Sequence, residues 1–128
     1  MRQLVYNGVK CLECGEVLVS YSVHDYKTCG CPNDTMVDGG LAYSRYGGMS
    51  MEKIQKIDIY ADDPFDLVRE YATRGSRGKD GKQPLSYIAI RDMDDDYLNA
   101  VLEYGGADWH LEIIRKEIEY RKNLRSKN

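Results

Sequence analysis

Cys11, Cys14, Cys29 and Cys31 are all the cysteines of a 128-residue chain, and they crowd into one short stretch near its start. No other feature limits the fold as much. A tetrahedral zinc ion takes four soft ligands at roughly 2.3 Å, and a Cys-x-x-Cys turn delivers two thiolates to one side of it. The 14 residues between Cys14 and Cys29 suffice for one hairpin that returns the second pair to the first. Gly15 after the first pair allows a tight turn, and Gly30 relieves the closer Cys29-x-Cys31 spacing. Four thiolates close the coordination shell, so the spacing predicts a structural Zn²⁺ at Cys11, Cys14, Cys29 and Cys31, with no open position for catalysis.

Two other uses of the cysteines fit less well. A disulfide framework belongs to oxidising compartments. Met1–Lys10 carries no apolar signal-peptide core, which makes a cytoplasmic chain the expectation. A thioredoxin-like Cys-x-x-Cys needs a helix start in a βαβ setting, which this segment lacks. His24, between the pairs, is either a substitute ligand or a hydrogen-bonded residue at a hairpin tip, and four cysteines already suffice. His110 has Ile114 four residues on, so it forms no helical metal pair and reads as a surface or core-edge histidine.

The remainder reads as α+β: a zinc-ribbon-like β-hairpin module over residues 1–50, then a small α+β region over 51–128. Short strands are expected at Leu4–Tyr6 and Val17–Tyr21, with a turn at Asn7-Gly8. A helical turn is expected at Leu41–Tyr46. Residues 52–60 alternate polar and apolar, and Leu85–Ile90 is the cleanest strand, so these two form a small antiparallel sheet. Asp63 looks like an N-cap, with Pro64 opening a short helix to Ala72. Asp92, Asp94, Asp95 and Asp96 could bind Mg²⁺, but acidic side chains at a helix N-terminus explain them more cheaply. Gly105-Gly106 closes that helix. A long helix follows from Trp109 to Leu124, with Leu111, Ile114 and Ile118 as its apolar stripe. Trp109, Ile113 and Tyr120 widen the stripe and suggest a homodimer. The tail from Arg121 is basic and expected to fray.

No 18-residue apolar run exists, so no membrane helix is expected. The net charge of −3, from 18 basic and 21 acidic residues, argues against a coat on nucleic acid. Nor is there a nucleophile elbow, a zinc-protease helix, a P-loop or a dinucleotide fingerprint, so the expectation is a protein that is not an enzyme. The loop Arg74–Lys82 combines glycines with basic side chains. Arg74, Arg77, Lys79 and Lys82, with Tyr87 and Arg91, are therefore candidates for an anion or nucleotide pocket. The same loop with Arg115, Lys116, Arg121, Lys122, Arg125 and Lys127 could grip nucleic acid, although the acidic run would repel phosphate. Eleven of thirteen aromatics are Tyr. Tyr43 and Tyr46, with Tyr60 and Tyr71, suit a protein interface in which amphipathic rings act as anchors.

The strings G-V-K-C-L-E-C-G-E-V-L-V-S, H-D-Y-K-T-C-G-C and V-D-G-G-L-A-Y-S-R (residues 8–46) resemble small zinc-ribbon proteins encoded by bacteriophages, mostly of uncharacterised function. Residues 74–93 and the helix ending E-I-E-Y-R resemble a second segment common in such proteins. The resemblance implies a phage accessory protein that holds zinc through the four cysteines, brings no catalytic residue, and acts in the host cytoplasm by binding a host protein. In this chain Pro32-Asn33 follows Cys31, where the family pattern often has Cys-x-Cys-Gly.

Overall fold

β1 (Leu4–Cys11) is almost wholly buried, because it is the central strand of a three-stranded antiparallel sheet. Its neighbours are β2 (Val17–Val19) on one side and a later strand, Ile54–Tyr60, on the other. The computed structural model describes residues 2–78 and 80–126. It is an α+β protein of small antiparallel sheets and three helices, and it divides into two units, Met1–Tyr60 and Ala61–Asn128.

In the first unit a second antiparallel sheet is ordered β3 (Lys27–Thr28), β4 (Met36–Asp38), β5 (Arg45–Gly47). Val9, Leu18 and Val37, one residue from each of three strands, form one core cluster, and Cys29 and Ile54 pack against it. After β5 a 3₁₀ turn at Met51–Lys53 leads into β6 (Ile54–Tyr60). The sequence-based boundary at residue 50 falls ahead of β6, whose pairing with β1 belongs to this unit.

Three local expectations fail here, two of them because buried polar side chains do work that apolar patterning cannot display. Asn7-Gly8 is not a turn but the middle of β1. The Asn7 side-chain amide instead donates to the carbonyls of Asp38, Gly40 and Tyr43, at 3.1, 2.9 and 3.2 Å. That anchors the 39–44 turn, so Leu41–Tyr46 forms no helical turn and runs into β5. Residues 52–60 do contain a strand, yet it pairs with β1, not with the strand at 85–90.

The second unit begins with α1 (Phe65–Tyr71), whose N-cap position is Pro64, not Asp63. β7 (Thr73–Ser76) and β8 (Ser86–Ala89) form an antiparallel hairpin, so the start of the expected basic loop is strand. A 3₁₀ turn at Ile90–Asp92 precedes α2 (Asp95–Tyr104). Asp94 caps α2 by accepting from the Tyr97 amide at 2.7 Å, as the acidic run suggested. α3 (Asp108–Ser126) is the long C-terminal helix.

The buried face of α3 is His110, Ile113, Ile114 and Glu117; it keeps Ile114 of the expected stripe and leaves Leu111 and Ile118 half-buried beside it. It keeps the i, i+3, i+4, i+7 rhythm but runs through two titratable residues. Glu117 is fully buried and accepts two bonds from Arg69, at 2.8 and 2.9 Å, and one from Arg121 at 2.7 Å. Arg121 also reaches Asp95 and the carbonyls of Ile90 and Arg91, which is why the helix continues past it to Ser126 and does not fray there. Ile113 is buried, and Tyr120 lies against Phe65 and under the Arg69 guanidinium, so both spend their apolar surface inside this unit.

Candidate metal centre

Two short loops present the cysteines, and each is closed by two backbone bonds. In the first, the Cys11 amide donates to the Glu16 carbonyl at 2.9 Å, and the Gly15 amide donates to the Cys11 carbonyl at 2.7 Å. In the second, the Cys29 amide donates to the Thr35 carbonyl at 3.1 Å, and the Asp34 amide to the Cys31 carbonyl at 2.7 Å. Both loops need left-handed backbone, at Gly15 (φ 80°) in one and at Gly30 (φ 72°) and Asp34 (φ 48°) in the other. Glycine supplies it without steric penalty, and Asp tolerates it better than most side chains. The pair Pro32-Asn33 after Cys31 is thus part of the turn that closes the second loop.

The loops meet so that the four sulfurs lie within 4.8 Å of one another. Cys11 Sγ is 3.5 Å from Cys31 Sγ, which is 3.3 Å from Cys29 Sγ. Sulfurs held roughly 2.3 Å from a central ion would stand about 3.8 Å apart at the corners of a tetrahedron; the 3.5 and 3.3 Å separations fall a little short of that edge. All four cysteines are free thiols. Among the described residues they form the one group of three or more His, Cys, Asp or Glu side chains able to hold a metal ion.

The electrostatics of the cluster call for a cation. The Cys11 thiol is held down at about 6 by the Thr35 hydroxyl and the Cys14 backbone. Cys31 is pushed up to about 12 by lost solvation and by the Cys29 thiol. Cys14 is raised as well, because the Glu16 amide pulls it down less than lost solvation and the Cys11 and Cys29 thiols push it up. One thiolate forms readily and its neighbours then resist ionising. A soft divalent ion removes that conflict, and a four-thiolate donor set selects such an ion.

A second tier of residues fixes the loops, and the sequence reading missed all of it. Asn33 is buried; its amide donates to the Thr35 hydroxyl at 2.8 Å, and its side-chain oxygen accepts from the Ser50 amide at 2.8 Å. Its carbonyl accepts from the Met49 amide at 2.7 Å. Glu13 lies 3.8 Å from the Cys31 sulfur and is held below the usual carboxylate range chiefly by Lys53, whose ammonium is 3.0 Å away. The available signal was the polar run Asn33-Asp34-Thr35 directly after the second pair.

The remaining candidates are scattered. His24 is exposed at φ 68°, a turn residue outside the thiol cluster. Of the basic-loop residues, Arg74 lies in β7 over the Tyr104 ring (5.9 Å). Arg77 and Lys82 are exposed on the connection to β8, and Tyr87 sits opposite Gly75 in the hairpin. Arg91 pairs with Glu70 and Asp92. Lys79 and Lys127 lie outside the described residues. In the acidic run, Asp94 caps α2 and Asp95 holds Arg121 and Arg125. Tyr43 and Tyr46 are both partly exposed in the first unit, with the Lys56 ammonium 5.4 Å from the Tyr46 ring. No helix among the described residues is long and apolar enough to cross a membrane.

Residues 3–48 match a family described as Domain of unknown function (DUF7695). The matched stretch carries β1 to β5, both cysteine loops, Asn7, Asn33 and Thr35, and it stops short of β6. No curated protein and no solved structure matches the chain.

Proposed function

We propose that the chain is a non-enzymatic binding protein of the kind small phages encode, with a structural Zn²⁺ at Cys11, Cys14, Cys29 and Cys31, acting by docking on a host protein. The observation that carries this reading is the closed four-thiol cluster. With every coordination position taken by sulfur, the ion has no site for water or substrate, and its effect is to lock two loops together.

What the loops display supports a binding role. Leu12 lies within the first loop and is 53% exposed, and Met49, hydrogen-bonded to the second loop, is 81% exposed. Met51 and Tyr46 are also exposed. Met side chains repack easily against varied surfaces, and Tyr rings make rigid anchors. Pull-down from a phage-host lysate, followed by reconstitution with the purified candidate, tests the reading. A Leu12→Asp/Met49→Asp variant should retain its zinc and bind at least tenfold more weakly, as should Tyr46→Ala to a smaller degree. Turnover of a substrate by the purified protein, or a zinc content of zero, overturns it.

A further inference from the structure

β6 is an outer strand of its sheet, and among the described residues it pairs with β1 alone. The ladder fixes which backbone groups that leaves over. The Leu12 amide donates to the Lys53 carbonyl at 2.8 Å, and in an antiparallel pair such bonding recurs at every second residue. Gln55, Ile57 and Ile59 therefore bond to Lys10, Gly8 and Tyr6, their partners in register. The amides and carbonyls of Lys56 and Asp58 point the other way, and no backbone group among the described residues meets them there. We propose that this edge pairs with the same edge of a second copy of the chain, joining two three-stranded sheets into one of six strands across a twofold axis at Ile57.

The strand Ile54–Tyr60 is built for further pairing. It contains no Pro and no Gly, so every residue can donate to a new ladder, and its register with β1 is unbroken from Ile54 to Ile59. A lysine on an edge strand ordinarily guards it against another chain. Lys56 is instead folded back onto its own sheet. Its ammonium donates to Asn7 Oδ1 at 2.8 Å, to the Gly8 carbonyl at 2.9 Å and to the Asp58 carboxylate, and its side chain is only 15% exposed. A side chain already held in place loses little freedom when a second strand arrives.

Charge selects both the occupant and the register. A closed pair of identical chains uses the same surface twice, which for an edge strand means antiparallel pairing. With the axis at Lys56 the two lysines would stand face to face, and with the axis at Asp58 the two aspartates would. Like charges directly opposite are destabilising. With the axis at Ile57, Lys56 of each copy faces Asp58 of the other, so opposite charges meet twice. The same register puts Lys56 and Asp58 at hydrogen-bonded positions, where their outward amides and carbonyls satisfy one another. On the other face Ile57 meets its own copy, with Gln55 against Ile59 on either side. Because Ile54 lies opposite Cys11, the antiparallel arrangement sets the two thiol clusters at opposite ends of the joined strands.

Sedimentation equilibrium and amide hydrogen exchange on the zinc-loaded full chain, over a wide concentration range, test the proposal. A monomer–dimer equilibrium is expected, with the Lys56 and Asp58 amides exchanging at least tenfold more slowly in the dimer. Asp58→Lys should weaken the dimer at least tenfold, and the swap Lys56→Asp/Asp58→Lys should restore it. Glu103→Lys, the same charge change on α2, should leave it as it was. Zinc content and the β1–β6 amide contacts seen by NMR separate a lost dimer from a lost fold, and exchange on the unsubstituted chain carries the test if Asp58→Lys does not fold. A monomer at every concentration overturns the proposal, as does a dimer whose Lys56 and Asp58 amides exchange as they do in the monomer, or one indifferent to Asp58→Lys. Protection of those amides only on adding an unrelated extended peptide also overturns it, since the edge would then serve a foreign strand.

Discussion

The two units bury apolar sets of similar size but differ in the polar material packed with them. In the first, Leu4, Val5, Val9, Cys11, Leu18, Val37 and Ile59 are buried together with five polar residues, Asn7, Ser20, Asn33, Thr35 and Asp38. The second buries Val68, Ala72, Ile90, Met93, Leu98, Val101, Ile113 and Ile114, and its main buried polar feature is the Arg69–Glu117–Arg121 triad. A fully buried aliphatic side chain contributes about 1.5–3 kcal/mol, whereas a satisfied hydrogen bond nets only about 0.5–1.5 kcal/mol. A smaller share of what the helical unit buries is polar, so its core is the more strongly driven of the two. The first unit adds to its apolar residues a mesh of buried polar side chains and turns, which specifies geometry more than it drives folding, so this unit stands to gain more from a cross-link at the thiol cluster.

Removing the metal breaks this comparison most directly. Structural zinc contributes about 10–16 kcal/mol to folding small modules, several times the about 1.5–3 kcal/mol of one buried aliphatic side chain. Chelation under reducing conditions, or Cys11→Ser, should collapse the dispersed β-sheet amide signals of residues 4–60 and leave the helical circular dichroism of residues 65–126 largely intact. Elemental analysis should find one zinc per chain beforehand. Sheet signals that persist after chelation would mean that Asn7, Asn33 and their partners hold the unit unaided.

Glu117 sharpens the other side. Glu117→Ala leaves two guanidiniums facing each other over a buried gap. Uncompensated buried charge typically costs about 3–5 kcal/mol. The Arg69 and Arg121 side chains keep 21% and 15% exposure, so the effect should sit near the lower bound, about 3 kcal/mol. Chemical denaturation followed by helical signal measures it. An Arg69→Met/Glu117→Leu/Arg121→Met variant should recover most of the loss, since a packed apolar replacement often matches a buried ion triad. Zinc content should not change in either variant. If the triple variant is as unstable as Glu117→Ala, the triad is holding α3 in register rather than merely filling space.

These contrasts also explain what could be seen in the sequence. The thiol cluster was legible because metal geometry leaves few spacings for its ligands, and Cys11, Cys14, Cys29 and Cys31 stand at one of them. The α+β class and the helix starting behind Asp94 were legible for a similar reason, since capping chemistry is local. The expected turn at Asn7-Gly8 failed because Asn7 acts on residues 31 to 36 positions away, and no local rule reads that. The face of α3 was misplaced because half of it is His110 and Glu117, which hydropathy assigns to solvent. The β6 partner was missed because alternation marks a strand without naming the edge it joins.

His110 yields the smallest effect and the finest discrimination between the units. It is buried in α3 beside the Trp109 ring, with Nε2 lacking a partner, and burial together with the Arg74 charge depresses its pKa. The unfolded chain, with a histidine near 6.5, therefore takes up the proton first as pH falls. Stability of the helical unit should be constant above about pH 6.5 and should decline below it, until the folded-state pKa is passed. Acid also displaces metal from thiolates, so the whole-protein melt cannot isolate the effect; the helical melt of residues 65–126 can. His110→Leu should flatten that melt between pH 5 and 7.5, while His24→Ala, at an exposed turn, should leave the slope as it was. Asp95 does not confuse the reading, because Arg121 and Arg125 hold its carboxyl below the ordinary range and it titrates only at more acid pH. A slope that survives His110→Leu would place the acid sensitivity outside the helical core and return it to the unit that carries the thiol cluster.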